Sequence, residues 1–136
     1  MNLDELSGEE LEAHMNPRVA VDDAEAYIAD WMERSADVRE RLNCRLDIAY
    51  GDTPGQKLDV FPAASDTAPI HIFIHGGYWR ALDKGANSFV AEAMVEAGAT
   101  VVLLNHDLCP SVTLDEIVAQ TLRGIAWVYE SAAELG

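Results

Sequence analysis

The sequence predicts an α/β fold in which an antiparallel strand pair precedes a β–α–β–α unit of a mostly parallel sheet. Three observations predict it. Between residues 44 and 61, two short strand-forming segments flank a turn rich in Gly, Asp and Pro. The later segments Ile70–Ile74 and Thr100–Leu104 have the β-branched, apolar composition of strands buried on both faces. Between and after them, apolar residues recur at helical spacing.

Length, charge and cysteine content restrict the class of protein. With 136 residues the chain can form one domain with a real core, and no apolar run reaches membrane-spanning length. The net charge of −15 disfavours nucleic acid and anionic membrane surfaces, because both attract clustered Lys and Arg. The acidic start lacks the pattern of a secretory signal, and Cys44 and Cys109 suit a reducing compartment as free thiols. We therefore expect a cytoplasmic protein.

Residues 1–42 are predicted to form an amino-terminal helical segment. A short acidic helix from Leu3 to about His14 ends at Asn16-Pro17-Arg18, since the residue before a proline avoids helical geometry. A second helix runs from about Asp22 to Leu42. Its apolar stripe consists of Ala24, Tyr27, Ile28, Trp31, Met32, Ser35 and Val38. Within it, Trp31 and Met32 are interpreted as packing residues.

Residues 43–136 are predicted to form the amino-terminal part of the α/β domain. Its strands are Cys44–Tyr50, Lys57–Phe61, Ile70–Ile74 and Thr100–Leu104. A helix from about Ser88 to Ala97 connects the last two. The final helix opens with Thr113 and Glu116, which have the spacing of a capping box. Its predicted apolar stripe consists of Leu114, Ile117, Val118, Thr121, Leu122, Ile125, Val128, Tyr129 and Ala132.

The motif His75-Gly76-Gly77-Tyr78-Trp79 directly follows the third strand. The glycine pair lets the backbone turn sharply and lets N–H groups approach a ligand without a Cβ in the way. Open α/β sheets bind ligands at the carboxyl ends of their parallel strands. An ordinary strand–turn with two glycines is the alternative. A dinucleotide-binding turn is excluded, because it needs G-x-G-x-x-G and here bulky Tyr78 and Trp79 follow the glycines.

Several motifs together resemble one family. They are Ile74–Arg80, Leu82-Asp83-Lys84, Asn105–Pro110 and Val112–Ile117, with Asn16-Pro17-Arg18 and Leu58–Pro62 nearer the amino terminus. This set resembles the bacterial arylformamidase-like (kynurenine-formamidase-type) α/β-hydrolases, relatives of the hormone-sensitive-lipase-like esterases. The resemblance extends from about residue 11 to the end and implies the amino-terminal part of the α/β-hydrolase fold. It also implies a serine esterase or amidase, with N-formyl aromatic amines as a possible substrate class.

The resemblance implies specific roles for the loop after the third strand, which in α/β-hydrolases contributes to the oxyanion hole. The backbone N–H groups of Gly76, Gly77 and Tyr78 would be the donors, and His75 would support the loop through hydrogen bonds. Tyr78 and Trp79 would line a substrate pocket, with packing of Trp79 beneath the loop as the alternative. The partner implied is a small ester or amide substrate, and no cofactor is expected.

The chain departs from the family pattern in two ways. A tyrosine is usual where this chain has His106. The family's nucleophile lies in G-x-S-x-G after a fifth strand, with its Asp and His later still. None of the serines has that setting: Ser7, Ser35, Ser65, Ser88, Ser111 and Ser131. We therefore expect no catalytic residue in this chain, truncation before the nucleophile, and inactivity alone. The alternative is a non-catalytic α/β module that binds a small ligand or a partner.

The sequence also contains a histidine pair, a nearby cysteine and histidine, and a strand that could form the edge of the sheet. His71 and His75 lie roughly 13 Å apart along a strand, so no metal site is predicted. Cys109 lies near His106 in sequence, but a buried free thiol is favoured over a reactive Cys–His pair. In the family's sheet, strand four lies between strands two and three, and strand five pairs with the far side of strand three. Without strand five, Ile70–Ile74 would be an exposed apolar edge through which chains associate.

Overall fold

The fold is built on a mixed sheet of four strands, seen in a computed structural model that describes residues 6–135. The strands are β1 (Arg45–Ala49), β2 (Lys57–Phe61), β3 (Ile70–Ile74) and β4 (Thr100–Leu104). Their order is β1-β2-β4-β3, with β3 parallel to β4 and the other pairs antiparallel. The predicted fold is confirmed, including the hairpin and the position of the fourth strand between the second and third.

Helices cover both faces of this sheet. They are α1 (Gly8–Met15), α2 (Pro17–Ala20), α3 (Ala24–Arg41), a 3₁₀ helix (Lys84–Asn87), α4 (Val90–Glu96), α5 (Leu114–Glu130) and α6 (Ala132–Leu135). On one face, Val128 and Leu135 pack against a cluster that includes Val102 and Leu104. On the other face, Val38 and Ala91 pack with Phe61, Val101 and Leu103. Strand β4 is fully buried, as its continuous apolar sequence predicts.

The amino-terminal helices differ in detail from the prediction. Helix α1 begins after Ser7, which forms a capping box with Glu10; the predicted start at Leu3 lies outside the described residues. Asn16 does end this helix, but its side chain then accepts a hydrogen bond from the N–H of Arg18 and caps α2. The predicted break is therefore also the start of a new helix.

The predicted packing stripes are only partly buried. In α3, Ser35 and Val38 are buried, whereas Met32 is 56% exposed, so its assignment as a packing residue is wrong. Trp31 is half-buried and stacks on Phe89 with ring centroids 6.3 Å apart. In α5 the buried residues are Ile117, Gln120, Gly124 and Val128. The rest of that stripe is exposed at Leu114, Val118, Leu122, Ile125 and Tyr129.

Side-chain caps fix the start of α5 and the 3₁₀ helix that leads into α4. Thr113 accepts a hydrogen bond from the N–H of Glu116, which confirms the predicted cap. The Glu116 carboxylate contacts Gln120 and Arg123. Asp83 caps the 3₁₀ helix that precedes α4, so regular structure begins earlier than predicted. No helix of residues 6–135 is long and apolar enough to cross a membrane.

Candidate functional site

The candidate site lies where β3 and β4 end side by side. Ile74 and Leu104 are partners in the parallel register, so the segments that follow them leave the same edge of the sheet. This edge is the usual ligand position in open α/β sheets. We call residues 75–83 the β3 loop and residues 105–112 the β4 loop. The fold therefore brings the glycine motif next to the Asn105–Pro110 motif.

Gly77 has a conformation that other residues adopt only under strain. Its φ is +116°, and a Cβ built on it would lie 2.0 Å from the carbonyl oxygen of Ala81. Gly76 differs, because a Cβ there would meet no atom within 4 Å. The first glycine therefore borders open space, and the second is required by the fold of the loop itself.

The rest of the β3 loop is also held in an unusual backbone conformation. Tyr78, Trp79 and Leu82 have φ values of 54°, 59° and 67°, a region that costs non-glycine residues free energy. The loop closes on itself because the N–H groups of Arg80 and Ala81 both donate to the carbonyl oxygen of Gly77, at 3.1 Å each. Such a conformation persists only where surrounding contacts determine it.

Three consecutive backbone donors in this loop have no acceptor in the part of the chain that the structure describes. Within residues 6–135, no hydrogen bond uses the N–H of Gly76, Gly77 or Tyr78. Gly76 and Tyr78 are exposed and Gly77 is half-buried, so water or a ligand can reach these N–H groups. These are the groups to which the family resemblance assigns the oxyanion hole, and their assignment stays a prediction.

His75 and His106 form a stacked pair that joins the two loops. Their ring centroids are 4.4 Å apart with planes 18° from parallel, and both residues are buried. His75 Nδ1 lies 2.7 Å from the carbonyl oxygen of Gly76, and His106 Nδ1 lies 2.7 Å from that of Asp107. Because a carbonyl only accepts, each Nδ1 carries a proton.

The environment of His75 favours its neutral form. Burial holds its pKa below the usual value, against the opposing effect of the Gly76 carbonyl and with a further lowering from His106. Its Nε2 is buried and has no hydrogen-bond partner within residues 6–135. The described contacts of the His75 ring are the carbonyl oxygen of Gly76 and the ring of His106, and its role in supporting the loop stays a prediction.

One direct backbone bond connects the two loops, and a second bond connects the β4 loop to the start of the 3₁₀ helix. The N–H of Cys109 donates to the carbonyl oxygen of Trp79 at 2.8 Å, and the N–H of Lys84 donates to Asn105 Oδ1 at 3.2 Å. The Cys–His pair that was weighed from the sequence is not formed by a hydrogen bond in residues 6–135, since the His106 ring faces His75. Burial raises the pKa of the other thiol, Cys44, which makes it a poor nucleophile.

A groove of about 870 Å³ lies between the amino-terminal helices and the β3 loop. Tyr78 lines this groove and is 80% exposed, whereas Trp79 is not among the lining residues. Its other apolar and aromatic lining residues include Met15, Val21, Tyr27, Ile28 and Trp31. The charged lining residues are Glu12, Arg18 and Arg80. The groove is therefore an apolar, partly aromatic recess that begins at Gly77.

A partly buried polar network, which the sequence pattern does not reveal, supports the β4 loop. Asp107 accepts hydrogen bonds from the Gly55 N–H at 3.0 Å and from Gln120 Nε2 at 2.9 Å, and its own N–H donates to Gln120 Oε1 at 2.9 Å. Burial opposes ionisation, but the surrounding donors outweigh it and lower the pKa of Asp107. The β4 loop is thereby tied to the hairpin turn and to α5.

The described residues do not include a metal centre. No group of three or more His, Cys, Asp or Glu side chains within residues 6–135 is arranged to hold a metal ion. The groups available for chemistry at this edge are therefore backbone N–H donors, two stacked imidazoles and an apolar groove.

Comparison with known proteins identifies the class first. A solved structure from Silicibacter sp., described as a thioesterase, superposes with a TM-score of 0.83 at 28% identity, over 90% of this chain and 47% of that one. Esterase B from Lactobacillus rhamnosis superposes with a TM-score of 0.69 at 22% identity, over 96% of this chain and 43% of its own. With the sheet order above, these matches show that the chain has the fold of the amino-terminal part of the α/β-hydrolases.

Sequence relatives identify the branch of that class. The kynurenine formamidase of Danio rerio is 30% identical over 138 aligned positions, which cover 99% of this chain and 47% of the relative. The predicted resemblance to arylformamidase-like α/β-hydrolases is thus confirmed. The chain spans about half the length of the curated relatives it matches. No protein-family profile matches it.

Proposed function

We propose that this chain supplies the oxyanion-binding loop of an α/β-hydrolase that cleaves esters or amides. The observation that carries the proposal is the set of three backbone N–H groups at Gly76, Gly77 and Tyr78, at the carboxyl end of β3, that have no acceptor among residues 6–135. Two features fix the backbone that bears these N–H groups. Gly77 has a positive φ, and its carbonyl oxygen accepts hydrogen bonds from the N–H groups of Arg80 and Ala81.

The chemistry follows from where charge develops. When a serine oxygen attacks a carbonyl carbon, the carbonyl oxygen gains negative charge, and preorganised N–H donors stabilise it more than they stabilise the substrate. This chain contributes the donors. The nucleophile, the base and the acid that orients the base would come from the half that the relatives carry beyond the aligned region, because no serine here lies in G-x-S-x-G.

The groove supports a substrate with an aromatic group. Tyr27, Trp31 and Tyr78 provide ring surfaces beside Gly77, where a scissile carbonyl bound by the loop would place its substituent. The relatives named kynurenine formamidase add support for an N-formyl aromatic amine as substrate. The free thiols Cys44 and Cys109 support a cytoplasmic setting.

The test uses what we call the completed hydrolase, in which this chain is joined to the carboxyl-terminal half of the Silicibacter relative. We expect hydrolysis of an aryl formamide or an activated aryl ester, and loss of turnover on Gly76→Ala. A completed hydrolase that is folded and turns over with unchanged kcat as Gly76→Ala would contradict the assignment of the loop.

A non-catalytic binding module is the second candidate, favoured by the lack of a G-x-S-x-G serine in the chain. It predicts that the chain alone binds an aromatic formamide in the groove without cleaving it. Calorimetric titration of the unmodified chain with a formanilide distinguishes the two candidates. Binding by the chain together with an inactive completed hydrolase would favour the binding module.

A further inference from the structure

The strained β3 loop needs an anchor at its carboxyl end, where it leaves Leu82 for the 3₁₀ helix. Its amino-terminal end continues from β3, and its middle is held by the Cys109–Trp79 backbone bond. Beyond Leu82, the chain enters the segment Asp83-Lys84, which belongs to one of the family-like motifs but has no role in the chemistry proposed above.

Lys84 reaches from this end of the loop into the sheet. Its Nζ lies 2.8 Å from Asp59 Oδ1 on β2 and 2.9 Å from Asp47 Oδ1 on β1. The Asp59 side chain is 2% exposed and that of Lys84 is 12% exposed, whereas Asp47 is 62% exposed. Asp59 also accepts a hydrogen bond from the N–H of Asp47 at 2.8 Å. Asp59 and Lys84 thus form the buried part of a three-residue ionic cluster.

Both ends of Lys84 are fixed. While its ammonium group is held by β2, its backbone N–H donates to Asn105 Oδ1 at 3.2 Å, at the start of the β4 loop. One residue earlier, Asp83 accepts from the N–H of Ala86 and so fixes the start of the 3₁₀ helix. The contacts of Asp83 and Lys84 therefore fix where the chain must lie directly after Leu82, whose φ is 67°.

A buried ion pair is not an efficient way to stabilise a fold. Taking two charges out of water costs about as much free energy as their attraction returns, and well-packed apolar side chains often do better. An ion pair differs from apolar packing in that its geometry is directional. An ion pair can therefore fix the position of the chain that leaves the loop more strictly than apolar packing can.

We propose that the Asp59–Lys84 pair is a positioning element that locks the β3 loop in the conformation that presents its unpaired N–H groups. It connects two family-like motifs, Leu58–Pro62 and Leu82-Asp83-Lys84, that are distant in sequence. The catalytic consequence rests on the proposed function. The positioning itself does not, because it concerns the loop's conformation in this chain.

The test compares two variants of the full chain by amide hydrogen exchange. The double variant Asp59→Asn with Lys84→Met removes both buried charges and keeps an acceptor for the Asp47 N–H. The control, Arg41→Met, removes an exposed cation paired with Asp37 and Glu92. The reporters are the N–H groups of Ala81 and Cys109, which close the loop, and those of β4, which report global opening.

We expect exchange at Ala81 and Cys109 to accelerate at least about tenfold in the double variant, while β4 changes by less than about threefold. The control should leave both unchanged. Equal acceleration at all sites would show a purely structural pair and overturn the proposal, as would unchanged exchange at the loop in a folded variant. If Lys84→Met is studied alone and fails to fold, the double variant still decides the question.

A second readout separates this proposal from the proposed function. In the completed hydrolase, the double variant should lower kcat by about tenfold or more with KM within about twofold, since misplaced oxyanion donors act on the transition state. Faster exchange at the loop together with an unchanged kcat would keep the positioning element and refute the oxyanion assignment. Unchanged exchange would refute the positioning element, whatever the kinetics.

Discussion

Replacing the two glycines of the β3 loop one at a time separates the loop's fold from its contact with substrate. At Gly77, a Cβ would lie 2.0 Å from the Ala81 carbonyl oxygen, where contacts under 3.0 Å essentially never occur. That carbonyl must therefore withdraw by about 1 Å, and a φ of +116° adds backbone strain. At Gly76 there is neither a clash nor a positive φ.

The expected magnitudes follow from that geometry. Gly77→Ala should lower the free energy of unfolding by about 1–3 kcal/mol, and a shift of about 1 Å in the donors should lower kcat of the completed hydrolase about 10²-fold. Gly76→Ala should leave stability unchanged or raise it by about 0.4–1 kcal/mol, because alanine has less conformational entropy to lose. Its kcat should nevertheless fall, since the new methyl group occupies the space that substrate must enter.

Urea unfolding of the chain and aryl-ester kinetics of the completed hydrolase measure the two effects separately. If Gly77→Ala proved as stable as the parent chain, the conformation derived for the loop would be refuted. The larger substitution Gly77→Val should lower turnover at least as strongly while most of the fold persists. A folded Gly77→Val variant with near-full turnover would remove the oxyanion assignment.

The remaining predictions concern acid stability, association and binding. The folded-state pKa of Asp107 is lowered, so its carboxylate stabilises the fold above its unfolded pKa of about 3.9, and this contribution is lost as pH falls further. In urea unfolding, Asp107→Asn should therefore reduce the acid-induced loss of unfolding free energy. An equal loss in the variant and the parent chain would refute this prediction. His75 is also held below its ordinary pKa, so protonation should weaken the fold as pH falls below about 6.5, with His75 shifts in NMR as the check; titration at its usual pKa would refute it. We propose that the chain alone is inactive and associates through the open edge of β3 and the exposed face of α5. Sedimentation should then show species above monomer that Leu122→Glu reduces, whereas the control Ala36→Glu, at an exposed alanine of α3 on the other face of the sheet, leaves them unchanged. A stable monomer that hydrolyses an aryl ester would contradict both points. With a charge of −15, the chain should not shift DNA or RNA at physiological salt, and submicromolar binding would refute that expectation.

The sheet was predictable because its information is local. Thr100–Leu104 is apolar at every position after its threonine, and Ile70–Ile74 ends at a glycine pair, so composition and turn chemistry define both strands. The apolar stripe of α5 correctly predicted a helix, but it did not predict which of its residues are buried. The sheet covers only the face that contains Ile117 and Val128, and periodicity alone does not show how much of a stripe finds a partner.

The supporting contacts of the site were not predictable, because they join residues far apart in sequence. Asp59 lies in an apolar strand, which signals a buried charge, but nothing in the sequence identifies Lys84 as its partner. The stacking of His75 on His106 depends on the parallel register of β3 and β4. Gln120 is absent from the predicted apolar stripe of α5, yet it is fully buried and binds Asp107.

The central claim is that the N–H groups of Gly76, Gly77 and Tyr78 bind the oxyanion. It is tested most directly by NMR of the completed hydrolase, labelled with ¹⁵N and inactivated with an aryl phosphonate whose phosphoryl oxygen stands in for that oxyanion. We expect large downfield shifts of these amide protons on inactivation, because they gain charge-assisted hydrogen bonds. The amides of Arg80 and Ala81, already bonded to Gly77, should move little. Unchanged amide shifts at Gly76, Gly77 and Tyr78 in a fully inactivated enzyme would contradict it.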